Sequence, residues 1–346
     1  MQERISRPRG PEAALLDGYP HVPWRRGQVN LRRERNRFEQ GEIGAAALAA
    51  AYDATVLRIV GEQEEAGLDP VTDGQARQDD LMEPLVRDLS GLEPGGLLRY
   101  YDNNFYYRAP RVTGRIAARG MSLAGQVAWL VRRTSRRVKV VLPGPLTAAA
   151  LVVDEHYHDR ERLLADLSEA LHLLAGQAVE AGAAVLQLDE PELVRPQGEN
   201  RVRARQERAA WLSEARQATA RVVEGLGART QVALFFGPSA PLLDELAGWP
   251  ADDLLFDLAS DPSLVDGLAG GGFPKGVGLG WLDARQPRLE PVEEAERLVD
   301  RLSGKIPLER ITLHPSASLE FLPADKARAK LERLGEALRA IRGDGR

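Results

Sequence analysis

Val185-Leu186-Gln187-Leu188-Asp189-Glu190-Pro191 sets the rhythm of the chain. A short, mostly apolar run ends abruptly on two carboxylates and a proline. A strand covered on both faces reads this way, without the alternation of a half-exposed strand. Just upstream, Leu163, Leu164, Leu167, Leu171, Leu174 and Ala178 recur at i, i+3, i+4 and i+7, the stripe of an amphipathic helix. The same alternation extends outward in both directions. Strand-length runs occupy residues 18–22, 68–72, 138–142, 185–188, 231–235, 253–256, 276–280 and 311–313. Further helical stripes carry Ala47, Leu48, Ala51, Thr55 and Ile59, and later Ala327, Leu331, Leu334, Leu338 and Ile341. Eight strands, each followed by a helix or connecting segment, predict an α/β chain folded as a (β/α)8 TIM barrel. An open doubly wound sheet is the alternative, but no Gly-rich fingerprint follows the first strand.

Residues 95–116, GGLLRYYDNNFYYRAPRVTGRI, break the alternation. Asn103 and Asn104 sit between aromatic residues, and Asn tolerates the positive φ of a tight turn. The segment predicts a β-hairpin inserted after the second strand and arching over one end of the barrel. Its tyrosines either pack or face a ligand. No linker or repeat divides the chain, so residues 1–346 read as one domain.

Composition narrows the functions. The 346 residues carry 46 Lys or Arg and 51 Asp or Glu, a formal charge of −5, with 43% hydrophobic residues. A mildly acidic chain is a poor partner for nucleic acid, and the Arg-rich stretches 132–137 and 201–208 read as solvated helix faces. No apolar run is long enough to span a membrane, and the first residues lack the apolar stretch of a signal peptide. The expectation is a cytoplasmic protein without nucleic-acid or membrane partners. With no cysteine, disulfides, thiolate nucleophiles and Cys-containing metal sites are excluded.

Barrel enzymes place their chemistry where the strands end, because the following loops converge on one mouth. The residues there are Asp73 and Gln75 after strand two, Asp189 and Glu190 after strand four, Asp257 after strand six, Asp283 after strand seven, and His314 and Ser316 after strand eight. Clustered carboxylates raise one another's pKa or bind a cation or amine. Asp189 and Glu190 are the candidate catalytic pair, Asp189 as an anchor and Glu190 as a proton carrier. Asp73, Gln75, Asp257, Asp283, His314 and Ser316, with Asn103 and Asn104 of the hairpin, are candidate substrate-binding residues. Any one of them could instead cap a helix. His156 and His158 lie where a long helix begins, a place for capping as much as for metal. His21, near the end of the first strand, is a further mouth candidate.

Several of these segments resemble the cobalamin-independent methionine synthase family, including its short archaeal-type members. Gln63-Glu64-Glu65-Ala66-Gly67-Leu68-Asp69 followed by Val71-Thr72-Asp73-Gly74 is similar to the family's Q-E-x-A-G-L-D-x-V-T-D-G-E. Pro143-Gly144-Pro145-Leu146-Thr147 resembles its G-P-x-T turn, and Leu186-Gln187-Leu188-Asp189-Glu190-Pro191 its I-Q-I-D-E-P. Gly278-Leu279-Gly280-Trp281-Leu282-Asp283-Ala284-Arg285 resembles G-V-V-D-x-R. The resemblance implies the same barrel and methyl transfer from a methylfolate, or another methyl carrier, to a thiol such as homocysteine. It also implies a zinc ion held by a His, two Cys and a Glu. On those positions this chain has Ala233, Phe235, Asp257 and Ala317, so the expectation is that no metal is bound. The family's Asp-Gly-Glu is Asp73-Gly74-Gln75, which puts homocysteine in doubt. Phe235-Phe236-Gly237 and Pro315-Ser316-Ala317-Ser318-Leu319 are closer to the zinc-free N-terminal barrel of full-length members.

Three functions follow. The first is a zinc-free protein binding a small polar metabolite (folate-, amino-acid- or thiol-like) at the mouth, with methyltransferase-type activity and a methylfolate co-substrate. The second is a non-catalytic barrel that complements a separate zinc-bearing methionine synthase subunit. The third is a binding protein for a small anion, gripped by Arg108, Arg285 and the Asn103-Asn104 hairpin.

Overall fold

A computed structural model describes residues 10–101 and 105–343. Its strands are β1 (Glu12–Ala13), β2 (Leu89–Glu93), β3 (Leu97–Arg99), β4 (Tyr106–Arg108), β5 (Arg111–Ala118), β6 (Lys139–Pro143), β7 (Val153–Asp154), β8 (Val185–Asp189), β9 (Arg229–Leu234), β10 (Asp253–Asp257), β11 (Gly276–Leu282) and β12 (Ile311–Pro315). Seven form one parallel sheet in the order β1-β12-β11-β10-β9-β8-β6. The sheet curls, and helices such as Arg160–Glu180 and Ala324–Arg342 pack outside it. Strands β8, β9 and β10 are buried along their whole length, which is why their sequences are continuous rather than alternating.

The two early strands depart from expectation. Residues 18–22 are irregular, and the first strand lies upstream at β1, paired with β12 in the register Glu12↔Thr312. Pro20 and Pro23 have no N–H to give a ladder, whereas Ala13, Ala14, Leu15 and Leu16 supply an uninterrupted apolar run. Residues 68–72 form no ladder either. They lie between β1 and β6, making isolated bridges from Asp69 to Ala13 and from Val71 to Val138. Pro70, lacking a donor, keeps that stretch from pairing continuously.

The segment after residue 72 adds a small antiparallel layer. β2 pairs with β5 and β3 with β4, while β7 joins β5 in parallel. Asn103 and Asn104 lie outside the described residues. Two contacts fasten this layer over the C-terminal ends of the parallel strands. The Tyr101 hydroxyl donates to Glu192 Oε2 at 2.7 Å, and the Tyr100 ring lies 5.9 Å from that of Phe236.

The opposite end is closed by charge. Glu12, fully buried at the start of β1, accepts from Arg137 Nη2 and Arg229 Nη1, each at 2.7 Å. Arg229 also donates through Nε to Asp253, and Arg137 through Nε to Asp69. Five chain segments therefore meet in one ion network below the sheet.

Gly335 shows how tightly the outer helices sit. A Cβ there would lie 2.2 Å from the Ala66 carbonyl oxygen. Alanine normally favours a helix over glycine by about 1 kcal/mol. Gly335→Ala is expected to do the reverse here, lowering stability by about 1–3 kcal/mol as the helix Ala324–Arg342 is pushed off its neighbour. A thermal melt that rises in the variant would disprove the close packing. Among the described residues, no helix is long and apolar enough to cross a membrane.

Candidate functional site

The loop after β1 turns at Gly18, and that glycine makes room for a convergence of oxygens. A Cβ at Gly18 would lie 2.7 Å from Ser318 Oγ, 3.0 Å from Glu320 Oε2 and 3.2 Å from Gln75 Oε1. These groups come from the loops after β12 and after residues 68–72. Together with Asp17, Asp189, Asp79 and Asp80 they line a chamber of about 60 Å³. Its walls are Tyr100, Phe105, Tyr107 and Phe321, brought in by the antiparallel insertion and the loop after β12. A wider groove of about 470 Å³ shares Asp79, Phe105 and Glu320 with the chamber and opens past His21, Leu31, Arg32 and Arg35.

The carboxylates are not equivalent. Asp79 is paired with Arg35, which holds its carboxyl below the usual range. Asp80 is consumed by backbone donors, accepting from Met82 N at 2.8 Å and Arg108 N at 2.9 Å. Asp17 is different. It accepts from Ser318, but its Oδ1 is buried without a partner, and burial pushes its pKa up to about 6. Glu320 receives no donor on its carboxylate among the described residues, and burial raises its pKa to about 8. Burial, reinforced by the charge of Asp17, also raises Asp189 well above the carboxylate range.

One cation lies beneath. Lys139, on the first residue of β6, is 2% exposed and donates to Leu15 O, Leu16 O and Gln187 Oε1 at 2.5, 2.7 and 2.6 Å. Gln187 Nε2 then donates to Asp189 Oδ1 at 2.7 Å. Burial lowers the Lys139 pKa to about 8, with Asp189 and Asp17 opposing the shift.

Of the residues picked from sequence, Asp189 and Gln75 meet in the chamber. Glu190 does not face it. Its carboxylate accepts from Leu146 N, Thr147 N and Thr147 Oγ1, so it caps the helix Pro145–Leu151. Burial raises its pKa to about 7. Asp73 accepts from Gln75 N in a tight turn and lies outside the chamber. Asp283 accepts from Arg285 N and Gln286 Nε2, and Ser316 Oγ accepts from Ala284 N, so both brace the loop after β11. His314 is fully buried inside the sheet, its Nδ1 against Pro315 O at 2.7 Å and its pKa driven down to about 4 by burial. His21 lines the groove with its Nε2 3.3 Å from Gly74 O. Arg285 is held by Asp283 and Ser260, while Arg108 contributes its backbone N–H to Asp80. His156 and His158 give backbone N–H groups to Asp154, forming a turn ahead of the long helix.

The positions where a zinc ion would sit do not fit one. Phe235 and Phe236 are buried edge to face, ring centroids 4.7 Å apart. Asp257 is already engaged by Phe236 N at 3.1 Å, Ser260 N at 2.9 Å and Ser260 Oγ at 2.6 Å. Ala233 and Ala317 offer no donor atom. Among the described residues, no three His, Cys, Asp or Glu side chains converge on a metal position. Phe236 holds a left-handed backbone, φ 71°, and so turns its ring under Tyr100.

Asp17, Ser318, Glu320 and Lys139 were missed from the sequence. Lys139 carried a readable signal, being a charge inside an apolar strand run, since such a residue is rarely buried without partners.

Comparison with known proteins agrees with the architecture. The family model "Cobalamin-independent synthase, Catalytic domain" matches residues 26–339. A methionine synthase of Saccharolobus solfataricus is 26% identical over 333 residues, covering 95% of this chain and 94% of its own length. A 5-methyltetrahydropteroyltriglutamate–homocysteine methyltransferase of Nitratidesulfovibrio vulgaris is 28% identical over 332 residues, 94% of this chain but 41% of that protein. Among solved structures, a B12-independent methionine synthase from Shewanella sp. W3-18-1 in complex with selenomethionine superposes with a TM-score of 0.79 at 18% identity, covering 97% of this chain and 98% of that one. The motifs, the curled parallel sheet and these matches agree: the chain belongs to the cobalamin-independent methionine synthase family.

Proposed function

We propose that this chain is a methionine-synthase-family protein that works without zinc and binds a small polar metabolite in its mouth. In this reading residues 68–72 stand in the place of the second strand, completing an eight-membered ring, and the antiparallel insertion is its roof. The observation that carries it is the fate of the metal positions: phenylalanine and alanine side chains stand where donors are needed, and Asp257 has its oxygens occupied by three hydrogen bonds. A catalytic zinc needs about three protein ligands plus an open position. What is left facing the chamber is a set of acids and amides, Asp17, Gln75, Asp189 and Glu320. Methyl transfer from a methylfolate to a thiol would then depend on a thiol acidic enough to ionise without metal.

The test combines metal analysis with binding. Purified protein is expected to carry far less than one zinc per chain after growth with zinc, and to bind 5-methyltetrahydrofolate or homocysteine by calorimetry. Stoichiometric zinc lost on replacing Asp257 or His314 would reverse the account of the metal site. Absence of binding for both ligands would remove them as candidate guests.

A second reading, a partner barrel for a separate zinc-bearing subunit, is favoured by exposed apolar side chains on the β3–β4 hairpin, where they alternate with Arg99 and Arg108. Leu97 and Tyr106 are each 60% exposed there. Co-purification with such a subunit, abolished by charged substitutions at Leu97 and Tyr106, is its expected signature.

A further inference from the structure

Two carboxyls of the chamber differ by a single hydroxyl proton. Asp17 and Glu320 both border the point above Gly18, where a Cβ would lie 2.7 Å from Ser318 Oγ and 3.0 Å from Glu320 Oε2. A hydroxyl has one proton to give. Ser318 gives its proton to Asp17 and accepts from Glu320 N at 3.3 Å, so none is left for the Glu320 carboxylate. Asp17 thus keeps a donor and has Lys139 below it, both of which favour its ionised form. The Glu320 carboxylate has no donor among the described residues and faces Asp17, Asp79 and Asp80, which favours its protonated form. Burial raises both groups, Asp17 to about 6 and Glu320 to about 8, on opposite sides of neutrality.

Their places differ as well. Asp17 borders the chamber of about 60 Å³, whereas Glu320 borders both the chamber and the groove of about 470 Å³. A small guest in the chamber meets Asp17, and a larger one lying in the groove meets Glu320. A group passing between the two guests crosses the junction at which both acids stand. The other carboxyls are committed. Asp189 accepts from Gln187, Asp79 is paired with Arg35, and Asp80 accepts from backbone N–H groups. Two titratable groups whose surroundings push them apart mark an acid and its partner base.

We propose that Asp17 and Glu320 are the general base and general acid of a metal-free methyl transfer, Asp17 serving the acceptor and Glu320 the leaving nitrogen of the donor. The donor is a tertiary methylamine such as 5-methyltetrahydrofolate, and the acceptor is a thiol. Glu320 gives its proton to the donor nitrogen, and Asp17 takes the thiol proton. The sulfur attacks the methyl carbon, the carbon–nitrogen bond breaks, and its electron pair returns to the nitrogen. The products are a thioether and a secondary amine. The turn ends with Asp17 protonated and Glu320 ionised. Return of that proton from Asp17 to Glu320 restores the start, and it runs downhill because Ser318 and Lys139 favour the Asp17 anion. This deepens the zinc-free reading of the mouth and rests on it.

The pair sets a window of pH. Transfer needs Asp17 ionised and Glu320 protonated, so the rate rises as pH passes about 6 and falls as it passes about 8. The charged and titratable groups around the pair are Lys139 and Asp189 next to Asp17, and the Arg35–Asp79 pair and Asp80 near Glu320. His21, Arg32 and Glu39 line the groove, and Tyr100, Tyr106 and Tyr107 bring their hydroxyls from the roof.

Infrared difference spectra of the full chain read the protonation states without turnover. At pH 7, Glu320→Gln is expected to remove one carboxylic-acid band, and Asp17→Asn one carboxylate band. Turnover reads the roles. With methyl-labelled 5-methyltetrahydrofolate and homocysteine, each substitution should lower kcat about a hundredfold and leave KM within about threefold. Asp17→Asn should erase the acid limb of the pH profile and Glu320→Gln the alkaline limb. Two probes cross the roles. Thiophenol, already ionised at neutral pH, should restore Asp17→Asn but not Glu320→Gln. Trimethylsulfonium, whose leaving sulfide needs no proton, should restore Glu320→Gln but not Asp17→Asn. Damage to the fold alone would not produce this crossed pattern. The assignment is overturned if the infrared bands are reversed, if either variant keeps the parental kcat, or if rescue is not crossed. If 5-methyltetrahydrofolate binds but its methyl group reaches neither thiol, the assignment falls and the reading of the mouth stands. If neither 5-methyltetrahydrofolate nor homocysteine binds, both fall.

Discussion

Replacing Lys139 with methionine is expected to cost about 3–5 kcal/mol at pH 7, among the largest effects of any single change in this chain. Methionine fills a similar volume but has no donor for the Leu15 and Leu16 carbonyls or for Gln187 Oε1. It also removes the one positive charge that faces Asp17 and Asp189 from below. The cost is greatest where those carboxyls are ionised. As pH falls through about 6, Asp17 takes a proton and the unbalanced charge is lost, so the gap between variant and parent narrows. The sign is fixed by the raised folded pKa: the protonated acid is the form that burial favours. Urea unfolding at pH 5 and pH 7 measures it. A deficit that stays constant with pH would mean that Lys139 acts by its hydrogen bonds alone and that Asp17 is indifferent to it.

Arg229→Met should have a comparable effect at the other end of the sheet. Arg229 is 8% exposed and joins Glu12 of β1 to Asp253 of β10, two carboxylates that are almost wholly buried. Without the guanidinium, Glu12 still accepts from Arg137, and Asp253 still accepts from Gln231 Nε2 at 3.2 Å. Breaking a buried pair from one side typically costs about 3–5 kcal/mol because the remaining charge is stranded. For a chain of this length that corresponds to a fall of roughly 4–8 °C in melting temperature. The double variant Glu12→Gln with Arg229→Met should recover part of the loss, since fewer charges are left buried alone. A single variant that melts with the parent would show that solvent reaches this end and that the network contributes little.

The late strands were legible because burial on both faces leaves a plain apolar run, and β8, β9, β10, β11 and β12 all lie where their sequences place them. The early part was not. Taking residues 18–22 as the first strand put Asp17 before a strand instead of after one, and so hid it as a mouth residue. Shifting the strand to the run ending at Leu16 would have placed Asp17-Gly18 beside Asp189-Glu190 in kind. Glu190 shows the opposite limit. A carboxylate after a strand either faces the mouth or caps the next helix, and composition cannot separate these. What separates them is Gly144, where any Cβ would lie 2.2 Å from Glu190 Cδ, a fit that appears only in three dimensions. Ser318 and Glu320 belong to a short turn whose direction depends on how the chain leaves β12. The segment 95–116 was recognisable as an insertion from its aromatic residues, but its pairing of β2 with β5 depends on contacts far apart in sequence.

The Tyr101–Glu192 bond and the edge-to-face contact of Tyr100 with Phe236 have a consequence for traffic. With the roof bolted down on the β8 side, a guest of the proposed site would reach the carboxylates sideways, along the flank between Arg35 and Leu322. Selectivity would then be exercised at the doorway by the helix Leu31–Glu39, well before the guest meets the acids inside.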